Sequence, residues 1–137
     1  MVEGNKFACF AYHAIGEDAD QYTLRERQFQ DQLALLQREA YVIDGFEGPE
    51  LRLRSRQSLA SRYAVLTVDD GRESAMWAAD FLGKCGGHAS FFLRRDRSAS
   101  KPGDIRQKDI RQLRRRGFSV GTHGATQRKL TFLPKEE

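Results

Sequence analysis

Two adjacent carboxylates follow the most strand-like segment of the sequence. Residues 64–68 are apolar and partly β-branched, and they run directly into Asp69 and Asp70, which Gly71 follows. Neighbouring carboxylates at the end of a strand can do different jobs, because one can bind a divalent cation while the other takes a proton from an attacking water. An isolated Asp-Asp-Gly also fits an ordinary turn. The surrounding sequence therefore has to decide between a catalytic site and a turn.

Two histidines stand at the ends of other predicted strands. His13 follows the apolar segment 7–12, and His123 follows the segment 118–121. Since the carboxyl ends of parallel strands meet on one face in β/α architectures, both histidines are expected to converge with the carboxylates. Catalytic zinc takes three protein ligands, and Gln127 would lie on the same side as His123 if a helical turn begins there. This convergence favours a site over isolated structural histidines.

The elements that must position these groups alternate between strands and helices. Strands are predicted at 7–12, 41–43, 64–68, 89–93 and 118–121, and helices around 29–40, around 74–85 and along Ile105, Ile110 and Leu113. The first strand, being continuously apolar, is predicted to be buried on both faces. Residues 16–20 are interpreted as a loop, 44–62 as a loop with a helical turn, and 133–137 as the start of another helix.

This alternation predicts an α/β fold with about five parallel strands, either an open doubly wound sheet or a (β/α) barrel. A complete eight-stranded barrel takes about 250 residues. The 137 residues of this chain therefore predict an incomplete barrel, a single domain over 1–137 that is truncated on its C-terminal side. An unpaired sheet edge in such a domain predicts self-association.

Charge and cysteine content restrict the partners. The net charge of +4 is concentrated in local clusters, Arg94-Arg95 and residues 114–116, which are interpreted as a solvated basic face and a helix end. Without interleaved aromatic residues these clusters do not predict nucleic-acid binding. Cys9 and Cys85 form no metal-binding pair and are predicted to be buried thiols. No long apolar segment predicts a membrane span or a signal peptide, so a cytoplasmic location is expected.

Four segments together resemble one known family. Thr67-Val68-Asp69-Asp70-Gly71 is similar to the first motif of the polysaccharide deacetylases, the NodB-homology hydrolases, with Val68 where the usual motif has Phe. Segments 10–15 and 89–92 are similar to the family's entry segment and fourth strand. Residues 121–131 resemble its second motif, a pair of metal-binding histidines four residues apart followed by a leucine. The resemblance spans almost the whole chain and implies an incomplete (β/α) barrel of the NodB type.

The resemblance also implies a role for each site residue. Asp69 corresponds to the catalytic base, Asp70 and His123 to metal ligands, and His13 to a residue that lines the site. Gln127 stands in place of the usual third ligand, a histidine. The implied cofactor is a divalent metal, zinc or alternatively cobalt or nickel, and an amide oxygen binds such metals more weakly than an imidazole. The arginine, apolar wall and general acid of the family's later motifs have no counterpart up to Glu137.

The implied activity is the metal-dependent removal of N- or O-linked acetyl groups from a polysaccharide or oligosaccharide, impaired in this chain. The implied partner is an N-acetylated carbohydrate. The alternative is a non-catalytic carbohydrate-binding or assembly module that keeps the deacetylase fold. Retention of Asp69, Asp70 and His123 favours the enzyme, whereas Gln127 favours the module.

Overall fold

The computed structural model describes residues 6–17, 20–59, 62–95, 102–125 and 128–132. Its strands are β1 (Lys6–Tyr12), β2 (Ala14–Ile15), β3 (Thr23–Leu24), β4 (Val42–Asp44), β5 (Arg62–Asp70), β6 (Ser90–Leu93) and β7 (Ser119–Thr122). Its helices are α1 (Glu26–Arg38), α2 (Glu47–Arg54), α3 (Ser74–Lys84) and α4 (Gln107–Arg115), and a 3-10 turn covers Leu130–Phe132.

A five-stranded parallel sheet organises the fold. Its order is β1-β5-β6-β7, and β4 also pairs with β5. Along the same side of β5, β4 pairs with residues 63–65 and β6 pairs with residues 67–70, while β1 pairs with residues 62–68 on the other side. The short strands β2 and β3 form a separate parallel pair. The predicted α/β fold of parallel strands alternating with helices is confirmed.

The core lies between the sheet and the helices that cover one of its faces. In α1 the side chains of Phe29, Leu33 and Leu36 are buried, as the helical spacing predicted, although Leu35 is exposed. These three side chains pack in one cluster with Leu66 and Val68 of β5 and with the alanine residues of α3. β5 is buried along eight of its nine residues. The central strand is therefore the rigid support for whatever stands at its end.

The first strand differs from its prediction. Within the residues that the structure describes, β1 pairs only with β5, so it lies at an edge of the sheet. Phe7 is 54% exposed and Cys9 is also exposed, so among the described residues no helix or strand buries these two side chains. Cys85 is half-buried. The predictions of a strand buried on both faces and of buried thiols were wrong, because an apolar run does not tell a central strand from an edge strand.

The observed bounds of several helices and strands also differ from the predicted ones. Residues 47–54 form a two-turn helix rather than a loop with one turn, and β5 continues through both aspartates. Ile105 precedes α4 instead of belonging to it. The predicted helix at 133–137 lies outside the described residues. Among the helices that are described, none has the length and apolar character needed to cross a membrane.

Candidate active site

The two carboxylates stand on a tight turn at the end of β5. Asp69 and Asp70 still pair with Phe92 and Leu93 of β6, and then the Gly71 amide donates a hydrogen bond back to the Asp69 carbonyl at 3.0 Å. Asp70, at the centre of this three-residue turn, has φ +72°, which L-residues other than Asn and Asp seldom adopt. Such strained backbone is typical of functional sites. The turn lets two successive carboxylates both remain buried.

Gly71 is required where it stands. Its φ is +81°, and a Cβ at this position would lie 3.1 Å from Ile105 and 3.2 Å from Leu93. The backbone of the next segment is anchored here as well, since the Ile105 amide donates to the Gly71 carbonyl at 2.9 Å. The Asp-Asp-Gly sequence is therefore a turn, and the turn itself presents the two carboxylates.

Asp69 combines burial with an oxygen that accepts no hydrogen bond. Among the residues that the structure describes, none donates to its Oδ1. Burial raises the pKa of the Asp69 carboxyl, whereas His123, a hydrogen bond from Thr67 and His13 act to lower it. A buried carboxylate with raised proton affinity and an open oxygen can act as a general base. Thr67, to which the sequence assigned no role, orients this carboxylate.

Asp70 and His123 approach each other from neighbouring strand ends. Nε2 of His123 lies 3.8 Å from Oδ1 of Asp70. The backbone of His123 is held by a hydrogen bond from its amide to the Leu93 carbonyl at 2.8 Å, which continues the pairing of β6 with β7 by one step. The Asp70 side chain is only 7% exposed, whereas that of His123 is 41% exposed. The pair consists of a fixed carboxylate and a solvent-accessible imidazole.

Arg94 is, besides Thr67, a residue of this site to which the sequence analysis assigned no role. Its side chain is only 7% exposed, and its Nη1 lies 3.8 Å from the same Oδ1 of Asp70. The interpretation of Arg94-Arg95 as a solvated basic face was therefore wrong for Arg94, although it holds for the exposed Arg95. The available signal was its position, since Arg94 directly follows β6 and so reaches the same sheet edge as Asp70.

His13 also reaches this region. Its ring centroid lies 5.5 Å from that of Tyr22, and its charge acts on Asp69. Together with Gln21 and Tyr22 it lines a groove of about 550 Å³ beside the open edge of β1. The structure thus brings His13, Asp69, Asp70 and His123 to one end of the sheet. Gln127 lies outside the described residues.

Asp70 and His123 present atoms of the kinds that bind a divalent metal. Within the described ranges, no three His, Cys, Asp or Glu side chains cluster so that they could hold a metal ion. Oδ1 of Asp70 is nevertheless buried and accepts no hydrogen bond from any described residue, and it faces an imidazole nitrogen. Carboxylate oxygen and imidazole nitrogen are both ligands of zinc. Asp70 and His123 therefore suit a zinc-class cation as two of its ligands.

Comparison with known proteins identifies the family of the chain. The family model for polysaccharide deacetylase matches residues 56–137, more than half of the chain. No curated protein sequence matches it significantly. This chain belongs to the polysaccharide deacetylase family, whose members generally depend on a metal ion.

Solved structures share its fold at low sequence identity. IcaB from Ammonifex degensii is 22% identical with a TM-score of 0.79, over 97% of this chain and 57% of that one. A polysaccharide deacetylase from Bacillus cereus is 24% identical with a TM-score of 0.79, over 95% and 42%. The deacetylase PplD from Streptococcus pyogenes, in complex with acetate, is 19% identical with a TM-score of 0.80, over 96% and 62%. This chain spans between 42% and 62% of the length of these three.

Proposed function

We propose that this chain supplies the base and two metal ligands of a metal-dependent carbohydrate deacetylase that removes N- or O-linked acetyl groups. The observation that carries this proposal is the turn at the end of β5, which buries Asp69 and Asp70 side by side beneath His123. One carboxylate has raised proton affinity, and the other offers an open oxygen to an imidazole nitrogen. These are the parts that hydrolysis of an acetyl group by an activated water needs.

In this proposal Asp70 and His123 hold the cation. A bound zinc-class ion would polarise the acetyl carbonyl and lower the pKa of the attacking water. Asp69 accepts the proton of that water through its open Oδ1. Burial raises the pKa of Asp69 above that of an ordinary aspartate, so its carboxylate is a stronger base than that of a solvated aspartate. The Thr67 hydroxyl keeps the carboxylate of Asp69 in place. As the bond between the acetyl carbon and the sugar nitrogen or oxygen breaks, the proton held by Asp69 passes to that leaving atom, so the products are acetate and a free amino or hydroxyl group on the sugar.

The proposed substrate is an acetylated polysaccharide or oligosaccharide. The groove beside His13 provides an aromatic side chain, Tyr22, which is 55% exposed, next to the amides of Gln21 and Gln32. Apolar sugar faces pack on aromatic rings, and sugar hydroxyl groups hydrogen-bond to amides. The groove thus supports a carbohydrate bound beside His13, whereas Asp69, Asp70 and His123 are not among its lining residues.

The test is acetate release from N-acetylglucosamine oligosaccharides by the pure chain in excess zinc, which is expected to be slow because Gln127 stands in place of a metal-binding histidine. An Asp69→Asn variant should reduce the rate by about 10² to 10⁴-fold, the usual contribution of a general base. Asp31→Asn is the matched control, since Asp31 is an exposed aspartate on α1 that pairs with Arg27. Acetate release that Asp69→Asn leaves unchanged would contradict the proposal.

The second candidate is a non-catalytic carbohydrate-binding module, which Gln127 favours because an amide stands where the family has a metal-binding histidine. Oligosaccharide binding would then survive both chelation of metal and the Asp69→Asn change, without acetate release. The groove variant Tyr22→Ala would weaken that binding. Self-association through the open edge of β1 stays a prediction, which sedimentation of the pure chain can test.

A further inference from the structure

Arg94 places a positive charge at the oxygen that the proposed metal site needs. Leu93 pairs with Asp70 across β6 and β5, and Arg94 is the next residue along the chain. Its guanidinium nitrogen and Nε2 of His123 both lie 3.8 Å from Oδ1 of Asp70. The same carboxylate oxygen therefore faces two nitrogen groups, only one of which can bind a metal.

Burial determines how strongly this charge acts. The side chains of Arg94 and Asp70 are each only 7% exposed. A guanidinium stays protonated in proteins, so Arg94 cannot relieve its burial by losing its charge. A buried carboxylate in turn requires a compensating positive charge, and Arg94 provides one to Asp70. By contrast, Arg95 is exposed, so solvent and salt screen its charge.

We propose that Arg94 is an internal counter-ion for Asp70 that competes with a divalent cation for this carboxylate. This inference rests on the proposed role of Asp70 as a metal ligand. With no metal bound, the Arg94 guanidinium supplies the positive charge beside the buried carboxylate of Asp70. A dication at Oδ1 meets the repulsion of the guanidinium at short range and in a poorly screened environment, so binding is weakened.

The surroundings of Arg94 give its side chain room to move away. A cavity of about 360 Å³ adjoins the site and is lined by Leu93, Arg94, Ile110, Val120 and Thr122, among others. Its walls are largely apolar, which suits the methylene stem of an arginine while the guanidinium turns toward solvent. Cation binding at Asp70 is therefore coupled to displacement of Arg94 into or past this cavity.

Zinc affinity of the full 137-residue chain, measured by equilibrium dialysis, tests the inference. Arg94→Met keeps the length of the side chain and removes its charge, and it should lower the zinc Kd by about tenfold or more. Arg95→Met, the matched change at the exposed neighbour, should alter the Kd by less than about twofold. If Arg94→Met does not fold, Arg94→Gln removes the charge with a polar side chain. An unchanged Kd in the neutral variant would overturn the inference.

A second measurement needs no metal. In chelator, the stabilities of wild type, Arg94→Met, Asp70→Asn and the double variant form a double-mutant cycle. If the two charges compensate each other, the double variant is more stable than the sum of the single changes predicts. Additive effects would overturn the pairing.

Asp70→Asn separates this inference from the proposed function. If Asp70→Asn weakens zinc binding while Arg94→Met leaves it unchanged, Asp70 is a ligand and only the role of Arg94 fails. If zinc binding does not depend on Asp70 in either background, the proposed metal site fails and this inference fails with it.

Discussion

The proposed site draws its groups from two unlike places, the end of β5 and the end of β7. β5 is the central strand, with eight of nine residues buried, and its last two side chains are almost inaccessible. β7 is an edge strand within the described part of the sheet, its residues are half-buried or exposed, and His123 after it is 41% exposed. The proposed base and one proposed ligand are thus held by the core, whereas the second proposed ligand is held by a few backbone contacts.

This difference predicts which property each region controls. Changes around β5 should alter the stability of the whole fold, because its side chains fill the core. Changes after β7 should alter metal affinity with little effect on stability, because few core contacts are lost there.

Truncation of a core side chain in β5 should have the largest effect. Leu66→Ala removes a fully buried side chain and should lower the free energy of unfolding by about 2 to 5 kcal/mol. Val120→Ala in β7 removes a half-buried side chain and should cost only about 1 kcal/mol. Urea denaturation followed by circular dichroism measures both. Equal losses at the two positions would break the comparison.

The turn after β5 should be less tolerant than the segment after β7. Gly71 and Gly124 have similar φ values, +81° and +80°, so an alanine at either one adopts a disfavoured conformation. At Gly71 an added Cβ would also meet Leu93 and Ile105, in the turn that follows the buried central strand. Gly71→Ala should cost about 2 to 4 kcal/mol and Gly124→Ala about 1 to 2 kcal/mol, measured by thermal unfolding. If Gly124→Ala lowered the free energy of unfolding more than Gly71→Ala does, the turn after β5 would not be the less tolerant of the two segments.

The segment after β7 should control metal affinity. Gln127→His introduces the imidazole that the family has at this position and should lower the zinc Kd by about tenfold or more, with the stability in chelator unchanged. Gln112→His, the same change at an exposed position of α4, controls for nonspecific binding by an added imidazole. Zinc content after dialysis is the measurement. If Gln127→His and Gln112→His bind alike, the segment after β7 does not supply a ligand.

The pH dependence of stability should reveal the burial of Asp69. In the folded state the pKa of Asp69 is raised above the ordinary 3.8. At a pH between the unfolded-state pKa and the folded-state pKa, the folded chain therefore binds more protons than the unfolded chain. The free energy of unfolding therefore falls as the pH rises through this window. Asp69→Asn, measured in chelator, should lose this decrease and gain stability at neutral pH relative to wild type.

A difference between wild type and Asp69→Asn that stays constant from about pH 4 to pH 7 would show that the carboxyl is not desolvated. Asp31→Asn again serves as the exposed control.

Much of this arrangement could be predicted from local sequence. The spacing of Phe29, Leu33 and Leu36 predicts α1, and the apolar run into Asp69 predicts the central strand together with the position of the carboxylates at its end. Both signals are local, because periodicity and chain order are enough to read them. The alternation of strands and helices likewise predicts the parallel sheet and the convergence of its strand ends.

Only the tertiary structure decided which charges and apolar groups are buried. Phe7 and Cys9 belong to an apolar run and are exposed, whereas Arg94 belongs to a basic pair and is buried beside Asp70. Burial depends on which elements cover a residue, and these elements come from distant parts of the chain. For the same reason the sequence by itself identified the carboxylates of the proposed site, and only the structure showed the buried arginine 3.8 Å from one of them.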